Sequence, residues 1–234
     1  MLALACLTFL TPFVLIVIFS FVAQRLVYKG TPWIDVVQKP PLALLAEFLG
    51  YAVVLVFMVV MAKGKSGHRF LDAISWNWPE RSLFSLIGLG IALLISLQFI
   101  GHFLPIPKDL PFDNFFKRPL DAYLTSIFAI SVGPLMEEFF FRGFLYPVLA
   151  RWLGVVAAVL LTALPFALIH ALQLGFAWAP MLIIFIVGLV LTSVRAVRHS
   201  VGASFIVHCA YNSTLTILTY IGSDGFRHME RLSQ

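Results

Sequence analysis

Apolar and polar positions along the chain separate into long blocks instead of the short alternations of a water-soluble fold. Seven predominantly apolar runs stand out, at about 2–27, 42–62, 83–104, 121–149, 152–172, 176–195 and 201–222. A helix needs roughly 20 apolar residues to cross the hydrocarbon of a bilayer, so each run predicts a membrane span. Most of the proline and charge lies between them. Gly30 to Pro41 contains Pro32, Pro40 and Pro41, and Lys63 to Arg81 contains Lys63, Lys65, His68 and Arg69. Pro105 to Pro119 mixes prolines with Phe112, Phe115, Phe116, Lys117 and Arg118, a composition suited to the headgroup region. The expected fold is all-α: a polytopic transmembrane helical bundle of about seven spans. One membrane-embedded domain is expected over residues 1–234, with no internal repeat and no separate soluble part.

Composition agrees. Apolar residues make up 61% of the 234 and charged residues 12%, with a mean hydropathy of +0.97. Soluble domains carry about 25% charged residues, so lipid is the solvent for much of this surface. The first run, Leu2 to Ala23, lacks a basic leader and exceeds the 7–15 residues of a signal-peptide core; it is read as a retained span. The +5 formal charge is assigned to lipid headgroups and topology, not to nucleic acid. Counted by alternate loops, basic residues number seven on one side, Arg195 among them, and eight on the other, so orientation is not decided. Cys6 and Cys209 lie in apolar runs and suggest neither a disulfide framework nor a thiolate metal site.

What changes the picture is ionisable chemistry inside the runs. A charge at the centre of a spanning helix costs about 2.5–3.5 kcal/mol on insertion scales, so it usually has a partner or a water-filled cavity. The fourth run contains Glu137, Glu138 and Arg142. Glu138 and Arg142 are one turn apart on one helix face and can pair, whereas Glu137 lies about 100° round the helix and is left for chemistry. The competing reading is a buried ionic staple between helices. The fifth run brings His170, four residues after Phe166 and five after Pro165; the seventh brings His208 and Asn212, again at i and i+4. A lone membrane His is often a packing residue hydrogen-bonded across helices, but these residues on three runs can share one inward-facing site. A carboxylate and an imidazole can activate water, and His and Asn donors can stabilise an oxyanion. Glu47 is read as structural, within reach of the interface. Asp121 suits a helix N-terminus, while His68, His102, His199 and His228 are expected in solvated positions.

Glu137-Glu138-x-x-x-Arg142, Phe166-x-x-x-His170 and His208-x-x-x-Asn212, in that order, resemble the three motifs of the CPBP family, the type II CAAX prenyl endopeptidases and their bacterial relatives, sometimes called abortive-infection proteins. The resemblance covers about residues 120–222. It implies an intramembrane endopeptidase of glutamate or metallo type, in which Glu137 activates water, His170 helps hold it, His208 and Asn212 form the oxyanion site, and Glu138 with Arg142 is the supporting ion pair. It implies a peptide or lipidated-protein substrate, membrane lipids as surroundings, no nucleic acid, and a multi-pass location in a bacterial or archaeal membrane. Glu137, His170 and His208 also make a three-donor zinc set on paper; without an HExxH motif, metal-free water activation is the favoured expectation. A non-catalytic immunity or scaffold protein of the same fold is the alternative, and a proton relay or transporter is a third reading.

Overall fold

In a computed structural model, the backbone of residues 2–37, 39–66 and 69–232 is described; the side chains of 1–10, 12, 13, 34, 37, 38, 63–68, 80 and 232–234 lie outside the described set. The expectations for Cys6, Lys63, Lys65 and His68 therefore fall outside it. Among the described residues there is no β-strand. The helices are α1 (Leu2–Leu26), α2 (Trp33–Val37), α3 (Pro40–Ser66), α4 (Phe70–Ala73), α5 (Leu83–Gly101), α6 (Pro119–Ile130), α7 (Val132–Glu137), α8 (Tyr146–Leu153), α9 (Val155–Ile169), α10 (Trp178–Arg198) and α11 (Val201–Gly222), with a π-helical segment, Glu138–Leu145, between α7 and α8.

The protein is an integral multi-pass membrane bundle. Five stretches among the described residues are long and apolar enough to cross: Pro40–Ala62, Leu83–Gly101, Pro119–Leu153, Trp178–Arg198 and Val201–Gly222. Val155–Ile169 is a shorter apolar helix, and Val14–Leu26 is the part of the 25-residue α1 in which every side chain is described, so five of the seven expected spans reach spanning length among the described residues. Exposed Phe84, Ile95, Phe99, Val156, Leu160 and Ile217 give the bundle the apolar exterior that lipid requires.

Small residues let the central helices approach. α5 packs on α11 and α9 on α10. A Cβ on Gly90 of α5 would stand 2.5 Å from the Val207 carbonyl oxygen and 2.7 Å from Ala210 Cβ; one on Gly188 of α10 would stand 3.0 Å from the Phe166 ring and 3.1 Å from Ala163 Cα. Such close backbone contact is the usual basis of helix association where no hydrophobic effect operates between helices.

Two local features differ from the sequence expectation. The run at 121–149 is not one regular helix. Its backbone breaks at Ser131 (φ −130°, ψ −87°), and Ser131 donates its hydroxyl to the Ile127 carbonyl at 2.5 Å. After Glu137 it widens into the π-helical turn, with Tyr146 N bonded to Phe141 O. Arg195, counted above among the loop cations, is instead buried in the last turns of α10. Its Nε donates to the Arg142 carbonyl at 3.2 Å, supplying a partner to backbone in the π segment.

Candidate functional site

The irregular stretch of the fourth run is where the ionisable residues collect. The break at Ser131 lies six residues before Glu137, with Gly133 and Pro134 between them. The π segment begins at Glu138. Single π turns inside α-helices are rare and recur at functional positions, because they rotate the side chains that follow out of α-helical phase.

Glu138 and Arg142 pair across this turn. Arg142 Nη1 donates to Glu138 Oε1 at 2.9 Å, and both side chains are 0% exposed. Arg142 also donates from Nη2 to the Gly188 carbonyl at 3.0 Å and from Nε to Thr192 Oγ1 at 3.2 Å. Thr192 in turn donates to the same carbonyl at 2.7 Å. Every guanidinium nitrogen is engaged, which is what a buried cation requires. The Phe166 ring lies 4.4 Å from the guanidinium carbon, an attractive cation–π placement.

Glu138 also receives His208. The imidazole Nδ1 lies 3.0 Å from Glu138 Oε1, and the arginine-paired carboxylate accepts, so Nδ1 carries the proton. The other ring nitrogen, Nε2, is turned to the second acid and lies 3.7 Å from Glu137 Oε2. One ring thus spans both carboxylates of the Glu137-Glu138 pair. Among the described residues, Glu138 Oε2 is buried without a hydrogen-bond partner. The neighbouring donor is Ser204, whose hydroxyl is turned to the Val201 carbonyl at 3.0 Å.

Glu137 is held far less tightly. Its side chain is 12% exposed. Its other contact is a long one, from the Tyr51 hydroxyl to Oε1 at 3.5 Å. Tyr51 simultaneously approaches Glu47 Oε1 at 3.1 Å. Its single proton is therefore shared between two carboxylates, with the shorter contact to Glu47. Glu47, expected to be structural, is joined to Glu137 through Tyr51, because α3 packs against α6 and α7. Tyr51 was not among the candidates from sequence. Its only sequence signal is the i,i+4 spacing from Glu47, which many Tyr residues in apolar runs share.

His170 lies at the C-terminal end of α9, with Nδ1 2.9 Å from the Phe166 carbonyl. A carbonyl only accepts, so Nδ1 is again protonated and the Nε2 lone pair is free. The Phe166 ring stands between the two histidines, 5.3 Å from His170 and 5.9 Å from His208. Asn212 is placed differently from its spacing. Its Nδ2 donates to the Ala129 carbonyl at 2.7 Å, at the end of α6 beside the Ser131 break, whereas His208 contacts the two acids. The two residues share a helix face and not a bonding partner.

Glu137, His170 and His208 do not assemble as a metal cage: among the described residues no group of three or more His, Cys, Asp or Glu side chains is spaced to hold an ion. His208 Nδ1 is committed to Glu138 and His170 Nδ1 to a backbone carbonyl. That leaves two imidazole lone pairs and one carboxylate in the neighbourhood, without a three-donor set at a single point.

Neither the curated proteins nor the solved structures include one that matches this chain. A family model does match part of the chain: residues 119–214, which hold Glu137, Glu138, His170, His208 and Asn212, are similar to the type II CAAX prenyl endopeptidase Rce1-like family.

Proposed function

We propose that this protein is an intramembrane endopeptidase that hydrolyses a peptide bond close to the membrane with a water activated by Glu137. One observation supports this above the others. Of two adjacent acids, Glu138 is bonded to Arg142 and His208, while among the described residues Glu137 keeps only contacts of 3.5 and 3.7 Å. A carboxylate with free lone pairs beside an imidazole is what a general base for water needs.

In the proposed reaction Glu137 takes a proton from water as the water oxygen attacks the peptide carbonyl carbon. His170, through its free Nε2, helps hold that water. Asn212, through the amide N–H not bonded to Ala129, donates to the oxyanion, and His208 donates to it from Nε2 in its doubly protonated, imidazolium form. The C–N bond then breaks, the proton on Glu137 passes to the leaving amine, and the base is regenerated. Glu138 and Arg142 hold His208 and the helix in position and take no proton in the cycle. The substrate class is a peptide or a lipidated protein, in line with the Rce1-like domain.

The test is cleavage by the purified full chain of lipidated and plain C-terminal peptides, beside a Glu137→Gln control. Cleavage by the wild type alone supports the reading. Peptide binding without cleavage by either form returns the non-catalytic scaffold reading. Because the three donors do not converge, the active protein is expected to contain well under one equivalent of zinc by elemental analysis. Activity lost on metal removal and restored by zinc would make Glu137, His170 and His208 ligands instead.

A further inference from the structure

Away from the acids, three helix ends meet around a cavity of about 500 Å³ lined by Asn77, Trp78, Arg81, Ser82, Arg198 and Ser200, with Pro79 and Val197 completing its wall. The chain reaches it from the start of α5, the end of α10 and the start of α11. We propose that this cavity binds the phosphate of an anionic phospholipid, with the acyl chains lying along the adjoining apolar faces of α5 and α10.

The chemistry of the lining favours an anion. Among the described lining residues none is a carboxylate and two are arginines. Arg198 donates from Nη2 to the Ser82 hydroxyl, which fixes its guanidinium at the rim. Arg81 makes no hydrogen bond or ion pair among the described residues, so its fork is open to a ligand. Arginine presents paired donors that match phosphate oxygens. Ser82 begins α5 without a side-chain cap. The Ser200 hydroxyl, by contrast, already caps α11 by accepting from Ala203 N at 3.0 Å, and it donates to the Asn77 carbonyl at 2.5 Å. It shapes the floor.

Position selects a lipid over a free anion. The cavity lies at the ends of apolar spans, the depth where phospholipid phosphates sit. Trp78 is half exposed there, and beside it Val197 is 76% and Phe84 87% exposed. These exposed apolar side chains are placed to meet acyl chains. His208 follows Val201 by seven residues, so the Glu137–His208 pair lies about 10 Å inside the bundle from this plane. A lipid held here therefore marks the membrane depth at which the site works, on the side where α11 begins.

The full chain purified in an uncharged detergent is titrated with short-chain phosphatidylglycerol, short-chain phosphatidylcholine and inorganic phosphate, with binding followed by native mass spectrometry and by the melting temperature. The expected result is saturable binding of phosphatidylglycerol, at least about tenfold tighter than phosphatidylcholine, and a weakening of at least about tenfold in Arg81→Gln with Arg198→Gln. Arg81→Gln alone, which breaks no described contact, is expected to weaken binding severalfold, so the site is testable even if the double variant does not fold. Arg151→Gln, an exposed arginine at the far end of α8, is the control and is expected to bind as wild type does. Equal binding of the two lipids, an unaffected Arg81→Gln, or an equal loss in Arg151→Gln overturns the site. Displacement of the lipid by inorganic phosphate at comparable concentration overturns the lipid and leaves a free-anion site. None of these outcomes depends on peptidase activity.

Discussion

Glu137 and Glu138 are neighbours in the chain and opposites in the fold. Glu138 is 0% exposed and bonded to Arg142 and His208 within 3.0 Å. Glu137 is 12% exposed and has no contact shorter than 3.5 Å among those described. Two acids that share a membrane depth thus meet different demands. A buried carboxylate persists only when opposite charge and donors replace the lost water, and the Glu138–Arg142–Thr192–Gly188 array does this. A carboxylate kept for chemistry must stay incompletely satisfied, at some cost to stability. Adjacent positions on a helix point about 100° apart, which sends Glu138 to Arg142 and His208 and leaves Glu137 between Tyr51 of α3 and the far edge of the His208 ring.

The sharpest way to break this contrast is to neutralise each acid's side of it. Glu137→Gln keeps shape and loses the base; peptide turnover is expected to fall by about 10²–10⁴-fold with the melting temperature close to wild type. Turnover within tenfold of wild type would remove Glu137 from the mechanism. Arg142→Ala should act mainly on stability, because it leaves Glu138 as an uncompensated buried charge at about 3–5 kcal/mol. Thermal denaturation in detergent measures it, and Glu138→Gln combined with Arg142→Gln should recover part of the loss. A wild-type melting curve for Arg142→Ala would mean that the pair does not hold the bundle.

Smaller effects test the rim of the site. Asn212→Ala leaves the Ala129 carbonyl without its donor beside the Ser131 break, a loss of about 1–3 kcal/mol, and is expected to lower kcat as well as melting temperature. An unchanged kcat would restrict Asn212 to the helix break. The least disruptive change is Tyr51→Phe, which removes the proton shared by Glu47 and Glu137. A single hydrogen bond of about 0.5–1.5 kcal/mol corresponds to a severalfold fall in kcat with KM unaltered, and the lost Glu47 bond lowers stability by a comparable amount. A shift in KM alone would make Tyr51 a peptide contact and not a positioning residue for Glu137.

Much of this protein was decided by its linear pattern. Runs of apolar residues dictate helices, since only intra-segment hydrogen bonding satisfies a backbone in lipid. The runs at 83–104 and 201–222 appear nearly as written, as Leu83–Gly101 and Val201–Gly222. The Glu138–Arg142 pairing was legible too, because one-turn spacing is a local property. Contacts between distant segments were not. Nothing local says that His208 bridges two acids 70 residues earlier, or that Asn212 bonds Ala129. Nor does it say that Glu47 reaches Glu137 through Tyr51, or that Arg195 turns inward to the Arg142 carbonyl. Those outcomes depend on how closely α3, α9, α10 and α11 approach the fourth run, and on the break and π turn that rephase its side chains. Residue spacing fixes what one helix presents on a face; only the packing of helices determines which donor meets which acceptor.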